Sequence, residues 1–191
     1  MARRFDAQRG EWTSSVDERW FGFLRACGFG GVLLPNDAAT AKDLLSYVDP
    51  VGVVLTGGGD AKCITGTADA RDYIEEMVLA WTASRGRPLV GVCRGMQVLL
   101  AADGAHWVAG GGHVGTRHLV REGTSERSVN SFHHFVTYRT PGFEVLARAP
   151  DGSVELAAHA RHRRYAIMWH PERDTPFHAE DVRMFQAWFE E

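Results

Sequence analysis

The feature that most constrains the fold is a cysteine held between an apolar strand and an apolar helix. Residues 89–92 form an apolar run that predicts a short buried strand, and residues 97–102 predict the first turns of a helix. Gly91 and Gly95 flank Cys93 two residues away on either side, as in a nucleophile elbow, where the strained turn leaves no space for side chains. The amino end of the helix favours a thiolate over a thiol, so we interpret the chain as an enzyme with a cysteine nucleophile.

The composition disfavours several other classes of protein. With 191 residues the chain is long enough for a sizeable core, and we expect residues 1–191 to form one hydrolase domain. A net charge of −3 disfavours nucleic acid and membrane surfaces as partners, and no stretch approaches the roughly 18 apolar residues of a membrane span. The cysteines are widely spaced at Cys27, Cys63 and Cys93, which disfavours disulfides and structural zinc and fits a cytoplasmic protein.

In the first half of the chain, predicted strands and helices alternate. Residues 1–15 are polar and show neither the helical nor the strand periodicity of apolar residues. Ser14 or Ser15 is predicted to cap the first helix. The predicted elements are a helix over 15–27, a strand over 31–35, a helix over 38–48, a strand over 51–55 and a helix over 70–84. Such alternation is typical of a parallel sheet with crossover helices.

After residue 110 the pattern changes to short strands separated by turns. These strands are predicted over 116–121, 128–132, 143–149, 153–158 and 165–169, with a final helix over 181–189. The whole pattern predicts an α/β fold with a central, mostly parallel sheet, to which the C-terminal half adds antiparallel strands.

A cysteine nucleophile needs a base, a group that orients the base, and an oxyanion hole. The best base is His170 at the end of an apolar strand, and Pro171 is predicted to keep the chain extended so that Glu172 projects to the same side. Glu172 can then accept the second imidazole N–H and fix the tautomer of His170. The alternative is a strand-end histidine capped by a surface glutamate, and the elbow disfavours it.

Two backbone N–H groups are predicted to form the oxyanion hole. One belongs to Arg94, directly after the nucleophile, and the other to Gly58, in the glycine run over 56–60. The competing interpretation of that run is a phosphate-binding loop, but no Gly-Lys-Ser/Thr sequence follows it.

Several motifs stand in the order found in one known family. Residues 91–97 (Gly-Val-Cys-Arg-Gly-Met-Gln), 55–58 (Leu-Thr-Gly-Gly) and 169–172 (Trp-His-Pro-Glu) resemble class I glutamine amidotransferases. Further matches resemble the γ-glutamyl hydrolase branch, which includes γ-glutamyl-GABA hydrolase: Arg71-Asp72, His113-Val114 with His118, residues 129–134, and residues 149–152 followed by Glu155. The resemblance implies a flavodoxin-like three-layer sandwich as the fold.

The resemblance also implies a mechanism without a cofactor. Cys93 would attack a γ-glutamyl amide, His170 would act first as base and then as acid, and Glu172 would orient it. A covalent γ-glutamyl thioester would form and be released by water as glutamate. Four polar residues would line the pocket for the glutamyl amino and carboxylate groups: Gln97, Asn130, Ser131 and His133.

Some of these residues have simpler interpretations. Residues 130–134 fit a polar edge strand as well as a binding surface. Arg94 and Arg117 are further candidates for binding a carboxylate, although Arg94 fits equally well as a solvated residue at the start of a helix.

The group attached to the glutamyl moiety is less constrained by the sequence. Residues 16–20 resemble a shorter bacterial subset of the branch that includes γ-glutamyl-CDP-amidate hydrolase, which would place Asp17, Arg19 and Trp20 at the mouth of the pocket. An ordinary amphipathic helix with a surface ion pair explains them equally well. The family normally opens with an apolar strand that enters the sheet, and because residues 1–6 contain none, we expect a missing strand or a start upstream of Met1.

Other functions stay open at this stage. A glutaminase subunit that supplies ammonia to a partner synthase would share the catalytic residues, whereas a non-catalytic binding protein would not need them. A cysteine peptidase or stress-type chaperone of the related fold is disfavoured by the His-Pro-Glu sequence. A homodimer is compatible with the sequence. A metal site is disfavoured because the candidate histidines lack tight ligand spacing: His106, His113, His118, His133 and His134.

Overall fold

The computed structural model describes residues 2–190. The strands in that range are β1 (Ala2–Asp6), β2 (Glu11–Ser15), β3 (Val53–Leu55), β4 (Leu89–Val92), β5 (Val108–Ala109), β6 (Val114–Glu122), β7 (Ser125–Phe132), β8 (Phe135–Val136), β9 (Phe143–Arg148), β10 (Val154–His159) and β11 (Arg164–Ile167). The helices are α1 (Arg19–Ala26), α2 (Ala38–Val48), α3 (Lys62–Thr65), α4 (Ala70–Arg85), α5 (Arg94–Ala102) and α6 (Ala179–Glu190).

The larger sheet joins the two halves of the chain. Within residues 2–190 its strand order is β3-β4-β11-β10-β9-β6-β7. β3, β4 and β11 pair in parallel, whereas the remaining neighbours pair antiparallel. The predicted α/β fold class is confirmed, with parallel pairing confined to these three strands. Because β11 lies beside β4, the residues that follow these two strands meet at one edge of the sheet.

The core is built around β4, β11 and the helix that follows the elbow. α5 packs on both strands, and Leu89, Val92 and Ile167 are fully buried. The aromatic residues of α1 pack on α6, where the ring of Trp20 lies 6.4 Å from that of Phe185. Trp20 is therefore a core residue, 4% exposed.

The N-terminal region forms a hairpin that the sequence did not predict. β1 and β2 pair antiparallel, and the rings of Phe5 and Trp12 lie 4.9 Å apart across the pair. The guanidinium of Arg3 lies 3.5 Å from the centre of the Trp12 ring. Most side chains on both faces of the hairpin are exposed. The two strands therefore lack the alternation of apolar and polar residues from which a strand is predicted.

Two further predictions in this region are wrong. The strand predicted at 31–35 is not formed, and residues 28–34 instead line an apolar groove of about 470 Å³ beside the edge strand β3. Glycine-rich segments offer few side chains to a pleated surface. α1 begins at Arg19 rather than at residue 15, because Asp17 turns back to accept the N–H of Arg19 at 3.0 Å.

Candidate active site

The turn at Cys93 joins β4 to α5 and has a strained backbone. Cys93 has φ 52° and ψ −103°, a conformation that surrounding packing must enforce in a residue other than glycine. A Cβ atom at Gly91 would lie 2.4 Å from the carbonyl oxygen of Gly95, and one at Gly95 would lie 2.1 Å from that of Leu55. Both positions therefore require glycine, and the turn has the geometry of the predicted elbow.

His170 and Glu172 follow β11 and form a buried pair. Nδ1 of His170 is 2.7 Å from Oε1 of Glu172. The prediction of an extended chain across Pro171 is wrong, because Pro171–Arg173 form a 3-10 turn. Proline suits the first position of such a turn, where its fixed φ is compatible with the helix and no N–H is required. The turn holds the imidazole and the carboxylate in contact.

The ring of His170 faces Cys93 beside Gly57. A Cβ atom at Gly57 would lie 2.6 Å from Cε1 of His170 and 3.5 Å from Cβ of Cys93. Burial acts to lower the pKa of His170, but hydrogen bonds with the side chains of Cys93 and Glu172 outweigh it and raise the pKa to about 9. The ring therefore carries a proton at neutral pH. The sequence did not single out Gly57, whose signal was its place in the glycine run.

Gly58 lies in a turn that Arg71 holds in place. The guanidinium of Arg71 donates to three successive carbonyl oxygens, those of Thr56, Gly57 and Gly58. In a trans peptide the N–H points away from the preceding carbonyl oxygen, so the N–H of Gly58 is directed away from Arg71. The N–H of Arg94 lies in the first turn of α5, where the helix offers no acceptor. These orientations suit an oxyanion hole, and the role of the two donors stays a prediction.

A buried set of charges links this turn to the elbow. Nε of Arg71 donates to Oε1 of Glu75 at 2.8 Å, while Arg94 donates to Oε2 of Glu75 and, at 2.8 Å, to Oδ1 of Asp72. We call these four residues, each at most 5% exposed, the arginine–carboxylate network. The side chain of Arg94 is therefore neither solvated nor free to bind a substrate carboxylate. The sequence signal for this set was the spacing of Arg71 and Glu75, four residues apart on α4.

Asn130 holds the main chain at His170. Its Oδ1 accepts the N–H of His170 at 2.9 Å, and its Nδ2 donates to the carbonyl oxygen of His170 at 2.8 Å. Nδ2 also donates to Oδ1 of Asp174 at 3.2 Å. Asn130 thus positions His170, while the contact with substrate that the resemblance implies stays a prediction.

The other three residues predicted to bind the glutamyl group lie in different surroundings. Oγ of Ser131 is fully buried and donates to the carbonyl oxygen of His113 at 2.6 Å. Nε2 of His133 lies 3.3 Å from the carboxylate of Glu155. Gln97 lies in α5, one turn after the nucleophile, and is 5% exposed. None of these contacts tests a role in substrate binding.

A polar cleft of about 460 Å³ lies next to His170. Its lining includes three arginines: Arg19, Arg117 and Arg173. Phe132 lines the cleft as well, and its ring lies 5.9 Å from that of His170 and 4.5 Å from the guanidinium of Arg173. Among the described lining residues the one carboxylate is Asp174, which accepts from Arg117 at 2.7 Å. Arg19 also pairs with Asp17, and Arg173 lies 3.5 Å from Glu172, so each arginine of the cleft has a carboxylate partner.

A model of the class I glutamine amidotransferase family matches residues 13–187 of the chain. The chain belongs to the class I glutamine amidotransferase family, and it is an amide hydrolase of that type. No helix among residues 2–190 has the length and apolar character needed to cross a membrane.

Curated relatives include both a hydrolase and a synthase component. The chain is 29% identical over 140 residues to γ-glutamyl-CDP-amidate hydrolase of Campylobacter jejuni. The aligned region covers 72% of this chain and 68% of that protein. It is 36% identical over 114 residues to anthranilate synthase component 2, pyocyanine specific, of Pseudomonas aeruginosa. That aligned region covers 54% of this chain and 56% of that protein.

Solved structures support the fold. A crystal structure described as a GMP synthase subunit from Thermoplasma acidophilum superposes with a TM-score of 0.65 at 21% identity, covering 91% of this chain and 86% of that one. A glutamine amidotransferase from Methylobacillus flagellatus superposes with a TM-score of 0.61 at 12% identity, covering 87% and 69%. At these identities the likeness concerns the fold alone.

Proposed function

We propose that the chain is a free-standing hydrolase that cleaves the amide bond of a γ-glutamyl compound through a thioester on Cys93. The observation that carries the proposal is the arrangement of three side chains. A proton-bearing imidazole of His170 faces the sulfur, and the buried carboxylate of Glu172 holds its other nitrogen. The motifs at 129–134 and 149–155 and the likeness to the C. jejuni hydrolase support the γ-glutamyl hydrolase branch.

We assign each step of the reaction to a group of the site. Sγ of Cys93 attacks the γ-carbonyl carbon, while the N–H groups of Gly58 and Arg94 stabilise the oxyanion. As the C–N bond breaks, His170 transfers its proton to the departing nitrogen and leaves a thioester beside a neutral imidazole. The imidazole then takes a proton from water, whose oxygen attacks the thioester carbonyl, and the C–S bond breaks to release glutamate. Glu172 stabilises the imidazolium whenever it forms.

The three arginines of the cleft support an anionic leaving group. Guanidinium groups bind phosphate through paired, charge-assisted hydrogen bonds. Arg19, Arg117 and Arg173 line a space next to His170, where the group on the far side of the scissile bond would extend. We therefore favour a γ-glutamyl amide whose nitrogen carries a phosphate, such as γ-glutamyl-CDP-amidate, as the substrate.

The test is a panel of substrates offered to the purified full chain. The panel comprises γ-glutamyl-CDP-amidate, a γ-glutamyl-GABA amide, folyl-polyglutamate, glutamine and an uncharged γ-glutamyl anilide. The nucleotide amidate should give the highest kcat/KM. Arg117→Gln should lower that value by about 10–100-fold, since a hydrogen bond to a charged group is worth about 1.5–3 kcal/mol, and should leave the anilide unaffected.

The outcomes separate the two parts of the proposal. A preference for uncharged amides, or an equal loss on both substrates in Arg117→Gln, would overturn the anionic leaving group and leave the γ-glutamyl hydrolase standing. Full hydrolysis by Cys93→Ala would overturn both.

A glutaminase subunit is the second candidate, favoured by the likeness to anthranilate synthase component 2. Such a subunit would hydrolyse glutamine slowly when alone and faster with its synthase. Rapid cleavage of a larger γ-glutamyl amide by the isolated chain would exclude it.

A further inference from the structure

Three histidines and one glutamate meet inside the antiparallel part of the sheet. Oε1 of Glu155 lies 3.3 Å from Nε2 of His133 and 4.0 Å from Nδ1 of His113. Oε2 of Glu155 lies 3.5 Å from Nε2 of His118. The side chain of Glu155 is fully buried, and His118, with 12% of its side chain exposed, is the most accessible of the four. We call these four residues the histidine cluster.

The atoms that face one another in the histidine cluster lack hydrogen-bond partners. Within the described chain, five such atoms are buried without one: Nδ1 of His113, Nε2 of His118, Nε2 of His133 and both carboxylate oxygens of Glu155. A buried polar group without a partner costs about 1–3 kcal/mol, so native proteins rarely leave several of them side by side. Their common direction indicates a ligand at the point where they converge.

The outer hydrogen bonds of two rings direct their other nitrogens toward the carboxylate. Nε2 of His113 is 2.9 Å from Oδ2 of Asp151, an acceptor, so Nε2 carries a hydrogen and Nδ1 faces Glu155. Nδ1 of His133 likewise donates to the carbonyl oxygen of Phe135 at 3.0 Å, and its Nε2 faces Glu155. Histidines that bind metals typically donate their second N–H to a carboxylate or a backbone carbonyl in this way.

A bulge in β6 brings two of the histidines to one face. His113 and His118 are five residues apart, so a regular strand would point them to opposite faces. The register shifts by one residue between Val114 and Thr116, where Gly115 has a φ of 65°. The extra residue restores the common face, and the ring centres of His113 and His118 lie 4.9 Å apart.

We propose that His113, His118, His133 and Glu155 bind one Zn²⁺ ion as a structural site. Ligand atoms held about 2.0–2.1 Å from a tetrahedral Zn²⁺ lie about 3.3–3.4 Å from one another. The ligand atoms of His113, His118 and Glu155 all lie within 4.8 Å of each other, and Nε2 of His133 lies 3.3 Å from Oε1 of Glu155. Three imidazoles and a carboxylate suit Zn²⁺ better than Mg²⁺ or Ca²⁺, which prefer oxygen ligands.

The ion would join strands that support the catalytic histidine. Its ligands come from β6, β10 and the residues flanking β6 and β7. The carbonyl oxygen of Glu155 accepts the N–H of Met168 at 2.9 Å, two residues before His170. Because all four coordination positions are filled by protein, the site is structural and holds no open position for a substrate.

The experiment uses the full chain, purified without a metal-affinity step and depleted of metal with a chelator. Zn²⁺ is then titrated in competition with a chromophoric chelator, with Mg²⁺ as the control ion. The wild type should bind one equivalent of Zn²⁺ and melt at a higher temperature with Zn²⁺ than with Mg²⁺. Glu155→Gln and His118→Ala should lose that equivalent. The variant Asp151→Asn, which alters the hydrogen-bond partner of His113, should bind Zn²⁺ about 10–100-fold more weakly than the wild type.

Exposed His106 supplies the matched control, because His106→Ala should bind Zn²⁺ as the wild type does. A wild type that takes up no stoichiometric Zn²⁺ would overturn the proposal, whether or not the cluster variants fold. So would equal Zn²⁺ affinity in the wild type and His118→Ala. No readout depends on enzymatic activity, so failure here is distinct from failure of the proposed hydrolase.

Discussion

The arginine–carboxylate network and the histidine cluster are both buried, and they differ in whether their polar atoms find partners. In the network, the two carboxylates accept hydrogen bonds from two guanidinium groups, and Asp72 also accepts backbone N–H groups. In the histidine cluster, five facing atoms have none. The network is complete as it stands and fixes the geometry between the turn over 56–58 and the elbow. The histidine cluster is complete only with a ligand.

Glu172 has one carboxylate oxygen with a partner and one without. Its substitution should have the largest effect on activity. Oε1 holds His170, while Oε2 is buried without a partner. Glu172→Gln should lower kcat by about 10²–10⁴-fold, because the amide stabilises the imidazolium far less than the carboxylate does. Steady-state kinetics gives the rate, and circular dichroism checks that the variant folds. Wild-type turnover in a folded Glu172→Gln would contradict the assigned role.

Breaking the arginine–carboxylate network should destabilise the fold more than removing an exposed charge from the same helix. Glu75→Gln leaves Arg71 and Arg94 with too little compensating charge, and we expect the free energy of unfolding to fall by about 3–5 kcal/mol. Urea denaturation measures the change. The neighbouring Glu76→Gln is the matched control, since its carboxylate is 59% exposed, and should change stability by less than about 0.5 kcal/mol. Equal effects of the two substitutions would contradict the role given to the network.

The pH dependence of the enzyme should report the raised pKa of His170. Activity requires the protonated ring beside the sulfur, so kcat/KM should fall as pH rises through about 9. In Glu172→Gln this alkaline limb should move to lower pH, because a group that raises the pKa has been removed. Because folding raises the pKa of His170, protonation of this residue stabilises the fold. The stabilisation is complete below about pH 6.5, the ordinary pKa of histidine, and is lost as pH rises toward about 9. An alkaline limb that does not move in the variant would refute the coupling.

The smallest effect is expected for the stability of metal-free protein when the glutamate of the histidine cluster is substituted. In metal-free protein, Glu155→Gln should cost less stability than Glu75→Gln, because the Glu155 carboxylate lies 3.3 and 3.5 Å from His133 and His118, whereas Glu75 accepts from Arg71 at 2.8 Å. Parallel urea denaturation of the two variants, both treated with chelator, makes the measurement. A larger loss for Glu155→Gln would mean that the histidine cluster is already satisfied without an ion.

Local patterns in the sequence predicted much of the fold and the grouping of Cys93, His170 and Glu172. The glycines around Cys93 and the His-Pro-Glu sequence act over a few residues, so their consequences could be derived from the chain alone. The pairings of Arg94 with Glu75 and of Glu155 with three histidines join distant segments, and spacing carried no signal for them. Histidine spacing did not predict the cluster for this reason, since a bulge and strand pairing bring its members together. The strand expected at 31–35 failed because no neighbouring strand pairs with it within residues 2–190.

The central claim is that Cys93 is the nucleophile, and covalent labelling tests it most directly. A diazo-norleucine analogue of glutamine is incubated with the full chain, and the modified peptides are mapped by mass spectrometry. The chain carries its own controls, because Cys63 is exposed and Cys27 is buried with a pKa raised to about 12 by desolvation. We predict a single label on Cys93 that is absent in Cys93→Ala. A label on Cys63, or labelling that persists in Cys93→Ala, would contradict the account.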